Sequence, residues 1–184
     1  MRSILPVRGP AAAALAAGLC GAAATPAAAD TGGHVYAPEP AVTLAAPAAR
    51  AALAPDGRTA LAPAGAPTAV VRAIAAANRI ARKPYKWGGG HRRWRDSGYD
   101  CSGTVSYVLH GAGLLGVARD STGLMAFGRR GPGRWITVKA HGGHAYMIVA
   151  GLRFDTSGRG EEGPRWRPEP RSGRGYATRH PAGL

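Results

Sequence analysis

Cysteine is scarce in this sequence of 184 residues, which contains only two, Cys20 and Cys101. Acidic residues are also few, since 10 Asp and Glu stand against 24 Lys and Arg. Several familiar motifs are missing: the sequence has no Walker loop, no H-E-x-x-H, no G-x-S-x-G and no C-x-x-C. Phosphate-loop, zinc-peptidase, serine-hydrolase and dithiol redox sites are therefore weakly supported.

No hydrophobic run reaches the roughly 20 residues that a bilayer-spanning helix needs. The N-terminal segment has Arg2 and Arg8, then an Ala/Leu stretch over 11–21, and three alanines at 27–29. This order of basic, apolar and small residues is typical of a cleavable secretory signal. We therefore expect residues 1–29 to be removed on export, with a membrane anchor as the alternative.

Loss of the signal would remove Cys20 and leave Cys101 as the single cysteine, so no intrachain disulfide could form. The residues before Cys20 do not match the small-residue pattern expected for lipid attachment. A lone thiol in an oxidising compartment is an inert buried residue, an intermolecular partner or a nucleophile. Cys101 therefore needs a specific explanation.

The strong positive charge of the sequence indicates what kind of partner it could bind. The formal net charge is +14, and it stays strongly positive if Arg2 and Arg8 are removed. Such a charge favours adhesion to anionic polymers, either nucleic acid or the acidic polymers of a cell envelope. A bland explanation is compositional bias, because the arginine excess accompanies heavy use of Ala, Gly and Pro.

One folded domain is expected, over residues 68–184. The preceding segment, 30–67, is rich in Ala and Pro and has no apolar period, which predicts a flexible or semi-extended linker. A helix is predicted from Thr68, as a cap residue, and ends before Pro84. The sequence from Thr156 onward is predicted to be an Arg/Gly-rich tail.

A second helix is predicted after Asp100, whose side chain suits an N-cap. Cys101 then lies in the first turn, on the side of the apolar residues. Short β-prone runs follow at 135–140, 145–150 and 152–155, separated by glycine. Helices followed by an antiparallel meander predict an α+β fold.

The sequence offers a nucleophile, a base and an orienting group. A cysteine thiolate is favoured at a helix N-terminus, which is where Cys101 is expected. His144 leads directly into a predicted strand and is the best placed base. Asp155 shares a face with His144 if the intervening turn has even length. The other five histidines are less well placed: His34, His91, His110, His141 and His180.

Each of the three residues also has an ordinary structural explanation. Cys101 would then be a buried helix residue, His144 a strand-end residue and Asp155 a turn former. A zinc site formed by Cys101, His141 and His144 is a further alternative, although no fourth ligand is evident.

Three segments resemble the NlpC-type family of cell-wall cysteine peptidases: PYKWGGG (84–90), GYDCSGTVSYVL (98–109) and GGHAYMIVAG (142–151). The resemblance covers roughly residues 68–158. It implies a papain-like α+β domain in which the cysteine helix packs on an antiparallel sheet.

The resemblance implies hydrolysis of peptidoglycan stem peptides, at the D-γ-glutamyl to diamino-acid bond, through a thioester acyl-enzyme. Cys101 would be the nucleophile, His144 the base and Asp155 the third polar residue. Tyr85 would bind substrate or stabilise the oxyanion. Asp100 and Ser102 would border the subsite for a free amino terminus.

Two departures from the family pattern affect this assignment. The third position is more often His, Asn or Gln than Asp, and the usual Pro-Gly-Asp turn before the histidine strand is missing. A wall amidase or an acyltransferase on the same fold remains an alternative. So does a non-catalytic basic protein that binds the envelope or nucleic acid. For the enzyme we expect a secreted or periplasmic location, no cofactor, no metal and no nucleic-acid partner.

Overall fold

The structure is a computed structural model that describes residues 49–158 and 163–184. The predicted secretory signal and the first part of the predicted linker lie outside the described residues. No helix in the described part is long and apolar enough to cross a membrane.

Three helices form. Val70, Ile74 and Ala77 line the buried face of the first helix, at the spacing of an amphipathic helix. Its N-cap is Pro67, which makes no side-chain capping bond, so the predicted capping role of Thr68 is wrong. The bounds of the helices are α1 (Thr68–Ile80), α2 (Cys101–Gly111) and α3 (Ser121–Leu124).

Within the part of the chain that the structure describes, eight strands form two antiparallel sheets. The small sheet pairs β1 with β2, and the large sheet has the order β3-β8-β4-β5-β6-β7. The bounds of the strands are β1 (Ala52–Leu53), β2 (Ala60–Leu61), β3 (Arg129–Arg130), β4 (Ile136–His141), β5 (His144–Val149), β6 (Leu152–Asp155), β7 (Arg165–Arg167) and β8 (Ala177–His180).

The hydrophobic core lies between α2 and the centre of the large sheet. Helix α2 packs on β5, and α1 packs against α2 and also contacts β5. The core side chains are aliphatic or aromatic and fully buried, and they include Val105, Val108, Leu109, Val138, Met147 and Phe154. The α+β, papain-like fold with the cysteine helix on an antiparallel sheet, predicted from the sequence, is confirmed.

The sequence interpretation was wrong about the segment just before α1. Within the predicted linker, β1 and β2 form a hairpin, and Ala60 is buried against the domain. Asn78 of α1 holds the hairpin, because its side chain accepts the Ala60 N–H at 3.0 Å and donates to the Ala60 carbonyl at 2.9 Å. Residues 49–67 therefore belong with the folded domain.

The C-terminal segment is also part of the fold. Strands β7 and β8 occupy an edge and an interior position of the large sheet. Trp166 of β7 is buried and packs against Phe154, with ring centroids 4.7 Å apart. Its indole N–H donates to the Asn78 side chain at 2.8 Å. The predicted tail therefore contributes two strands, Arg165–Arg167 and Ala177–His180, to the sheet.

Because Asn78 connects the β1–β2 hairpin, α1 and β7, its loss should destabilise the domain. We expect Asn78→Ala to lower the free energy of unfolding by about 2 kcal/mol, since the buried partners at Ala60 and Trp166 would lose their hydrogen bonds. Chemical denaturation followed by tryptophan fluorescence would measure it. Arg72→Ala, an exposed change on the same helix, should stay within about 0.5 kcal/mol. An equal effect of the two changes would contradict the role of Asn78.

Candidate active site

Asp100 organises the first turn of α2. Its Oδ1 accepts the backbone N–H of Gly103 at 2.7 Å, which confirms the predicted N-cap. The same oxygen lies 3.0 Å from Nε2 of His91 and 3.2 Å from the hydroxyl of Ser102. Its Oδ2 accepts the N–H of Gly88 at 3.0 Å. One buried carboxylate therefore fixes both the start of the helix and the glycine loop beside it.

Glycine at position 103 is required by a close approach of that loop. A Cβ atom on Gly103 would lie 1.9 Å from the carbonyl oxygen of Gly89. The Gly89 carbonyl also accepts the N–H of Asp100 at 3.3 Å. A larger residue would push the loop away from the helix, which explains why a glycine follows the Asp-Cys-Ser sequence.

Cys101 is the first residue of α2 and is partly exposed. Burial of the thiol acts to raise the pKa of Cys101. Hydrogen bonds from the His144 ring and from the Ala145 N–H outweigh burial, together with the charge of His144, so that the pKa lies below its ordinary value. These contacts favour the thiolate.

His144 is the first residue of β5, at the end of a hairpin in which it pairs with His141 of β4. Burial acts to lower the pKa of His144. Hydrogen bonds to the carboxylate of Asp155 and to Cys101 oppose this effect and raise the pKa to about 9. Because Nε2 faces Asp155, Nδ1 is the nitrogen available to the thiol. The pair therefore favours a thiolate and an imidazolium at neutral pH.

Asp155 is the last residue of β6, and its side chain is completely buried. Its Oδ1 lies 2.9 Å from Nε2 of His144 and accepts the Ser157 N–H at 2.9 Å. Its Oδ2 accepts Nη1 of Arg153 at 2.8 Å and Nη1 of Arg171 at 2.9 Å.

These contacts keep Asp155 ionised. Burial acts to raise its pKa, but the hydrogen bonds from His144 and Ser157 and the positive charge of Arg171 lower it to about 2. A carboxylate facing Nε2 fixes the orientation of the imidazole and stabilises its protonated form. The sequence contained no signal that Arg171 would reach this position.

His141 is the cross-strand partner of His144, with ring centroids 6.4 Å apart, but its own contacts are with other groups. Its ring packs against Tyr176, with centroids 4.4 Å apart, and its Nδ1 accepts the N–H of Gly143 at 3.0 Å. No group of three His, Cys, Asp or Glu side chains in the described residues is arranged to hold a metal ion.

Cys101 opens into a cleft of about 350 Å³. The indole of Trp87 is 88% exposed at this cleft, a large apolar surface beside the thiol. The cleft is lined by the glycine loop, the start of α2, the start of α3 and the β4–β5 turn, with Tyr85, Trp87, Gly88, His91, Asp100, Cys101, Ser102, Asp120, Ser121, Thr122, Gly142 and Gly143 at its surface.

The structure brings all six residues singled out from the sequence to this cleft or next to it. Cys101, His144 and Asp155 form one hydrogen-bonded chain, and Tyr85, Asp100 and Ser102 line the cleft. The sequence interpretation missed the contribution of His91. Nε2 of His91 contacts Asp100 and Ser102, so His91 belongs to the cleft without serving as the base for Cys101. His91 directly follows the Trp-Gly-Gly-Gly run in an irregular loop, where no periodic pattern predicts such a contact.

No family model matches the chain, and no curated protein matches it. Among solved structures, it is similar to the peptidoglycan hydrolase RipB from Mycobacterium tuberculosis, with 26% sequence identity and a TM-score of 0.48. The match covers 61% of this chain and 64% of the RipB chain, so it spans less than two thirds of that protein.

The paired shifts of Cys101 and His144 predict how the thiol reacts with pH. Alkylation of Cys101 by iodoacetamide should proceed well below the ordinary cysteine pKa of about 8.5, because the thiolate is stabilised. His144→Ala should move the midpoint of the rate profile to higher pH, since the imidazolium is lost. Mass spectrometry of the alkylated peptide would measure the rates.

His141→Ala is the matched control, because it removes a histidine from the same hairpin without touching the thiol. Its profile should coincide with that of the parent protein. If His141→Ala shifted the pH profile of Cys101 alkylation and His144→Ala did not, the pairing of Cys101 with His144 would be contradicted.

Proposed function

We propose that this chain is an exported cysteine peptidase that hydrolyses peptidoglycan stem peptides. The observation that carries the proposal is the hydrogen-bonded chain Cys101, His144 and Asp155, which starts at a helix N-terminus and ends in a buried carboxylate. A thiol with a lowered pKa, beside a histidine with a raised pKa, is the arrangement that cysteine nucleophiles use.

The proposed reaction has two stages. The Cys101 thiolate attacks the carbonyl carbon of the scissile amide, and the first turn of α2 with Tyr85 stabilises the resulting oxyanion. The His144 imidazolium then gives its proton to the leaving amine, which leaves a thioester on Cys101. Neutral His144 next takes a proton from water, whose oxygen attacks the thioester and releases the acid.

The substrate is inferred from the motifs and from the cleft. The Tyr-x-Trp-Gly-Gly block and the Asp-Cys-Ser-Gly run resemble wall peptidases, which favours the D-γ-glutamyl to diamino-acid bond. Asp100 supplies negative charge where a free amino terminus would lie, and the Ser102 hydroxyl supplies a second polar group. Trp87 offers an exposed apolar surface at the cleft.

Replacement of the nucleophile tests the proposal directly. Cys101→Ala should abolish release of peptides from purified peptidoglycan, while the protein remains folded and wall-associated, because only the thiol forms the acyl-enzyme. Cys101→Ser keeps a nucleophilic atom but lacks the stabilised thiolate, so it should also lose most of the activity. Mass analysis of the released fragments would identify the bond. Hydrolysis by Cys101→Ala would refute the mechanism, and fragments from another bond or a transferred acyl group would indicate an amidase or an acyltransferase.

The role of Asp155 predicts a graded loss. Asp155→Ala should lower kcat less than His144→Ala, because Asp155 orients the imidazole while His144 moves the proton. In the parent protein, peptide release should decline above about pH 9, where His144 loses its proton. Asp155→Asn should move this decline to lower pH, since the neutral amide no longer stabilises the imidazolium. Rates measured from pH 5 to pH 10 would test both statements. An unchanged rate would remove Asp155 from the site.

A further inference from the structure

A second cavity is lined by Arg153 and Arg171, the two arginines that bind Asp155, and it shares no lining residue with the Cys101 cleft. It has a volume of about 440 Å³, and its wall carries four arginines and one acidic residue. Its charged lining residues are Arg50, Arg153, Arg167, Arg171 and Glu169. A cavity with this excess of positive charge attracts an anion.

Hydrogen bonds to other protein groups hold the guanidinium groups of Arg50, Arg153 and Arg171 in place. Arg153 and Arg171 each donate to Oδ2 of Asp155, and Arg50 donates to the carbonyl of Gly151 at 3.0 Å. Arg171 also donates to the Tyr176 hydroxyl at 3.0 Å. Positioned donors bind an anion with little loss of side-chain entropy on binding.

Two features of the cavity wall favour the binding of an anion. Tyr146 lines the cavity and is 1% exposed, yet its buried hydroxyl finds no hydrogen-bond partner in the described residues. Burial lowers the pKa of Arg167, and the neighbouring positive charge of Arg153 lowers it further. An oxyanion would accept a hydrogen bond from the Tyr146 hydroxyl and would reduce the repulsion between the neighbouring arginines.

We propose that this cavity binds a phosphate group, with the four arginines and the Tyr146 hydroxyl as donors. The arginines outnumber Glu169 and Asp155 by two charges, which favours a doubly charged oxyanion over a single carboxylate. The cavity has room for more than inorganic phosphate, so the group is free phosphate or the phosphate of an envelope polymer. The cavity shares no lining residue with the Cys101 cleft, although Arg153 and Arg171 also bind the carboxylate of Asp155.

The test is calorimetric titration of the full chain with inorganic phosphate, at an ionic strength fixed with sodium chloride. One saturable site is expected. Arg50→Gln and Arg167→Gln should each weaken binding about tenfold, because each removes a charge-assisted hydrogen bond. Tyr146→Phe should weaken phosphate binding several-fold, because it removes the hydroxyl donor. It changes no charge and keeps the aromatic ring that packs in β5.

Arg174→Gln is the matched control, since it removes one arginine from an exposed position outside the cavity. It should change the Kd less than about twofold, because exposed charges contribute little when salt screens them. Equal weakening by Arg174→Gln and Arg50→Gln, or the absence of saturable binding, would overturn the proposal. Acetate bound as tightly as phosphate would overturn the assignment to phosphate.

A further arm distinguishes the two sources of phosphate. Competition of polyglycerol phosphate with inorganic phosphate would indicate an envelope polymer as the ligand. Binding of inorganic phosphate without such competition would indicate the free ion. Because the titration can be repeated on Cys101→Ala, its outcome is independent of whether the chain hydrolyses peptidoglycan.

Discussion

The organisation of the site depends on one buried negative charge. The Asp155 side chain is completely inaccessible to solvent, and an isolated carboxylate in such a place costs several kcal/mol. Here it is compensated by His144 from β5, by Arg153 and Ser157 from its own strand region, and by Arg171 from beyond β7. The sheet arrangement that brings these segments together is therefore also the arrangement that keeps the carboxylate ionised.

A second acid performs a similar task on the nucleophile side of the cleft. Asp100 caps α2, receives the N–H of Gly88 and contacts His91. The glycine loop can reach it only because position 103 has no Cβ. The thiol and the imidazole are thus each mounted on an element whose end is fixed by hydrogen bonds to a carboxylate. This rigidity is what a nucleophile and base require, since small displacements weaken proton transfer.

Local sequence patterns predicted the elements whose side chains repeat regularly. The apolar period of α1, the cap of α2 and the glycine-separated β-prone runs of β4, β5 and β6 are all local signals. The two-residue turn of Ala150 and Gly151 has even length, which is why residues 144 and 155 could be placed on one face.

Other features depend on contacts between distant parts of the chain. The β1–β2 hairpin has strands of two residues in an Ala/Pro-rich segment, and it is stabilised by Asn78, 18 residues beyond Ala60. Strand β7 consists of Arg165–Arg167, which has no apolar alternation apart from Trp166. Arg171 lies 16 residues from Asp155 along the chain. No local rule specifies such pairings, so composition alone suggested a linker and a tail.

The arginine excess therefore has a meaning that composition alone did not reveal. An ionised Asp155 raises the pKa of His144, which stabilises the imidazolium and so the thiolate of Cys101. Arg153 and Arg171 bind the other carboxylate oxygen, and the positive charge of Arg171 helps to keep this buried carboxylate ionised. Two arginines of the excess therefore act on Cys101 indirectly, because they stabilise the carboxylate that orients His144 and favours its protonated form.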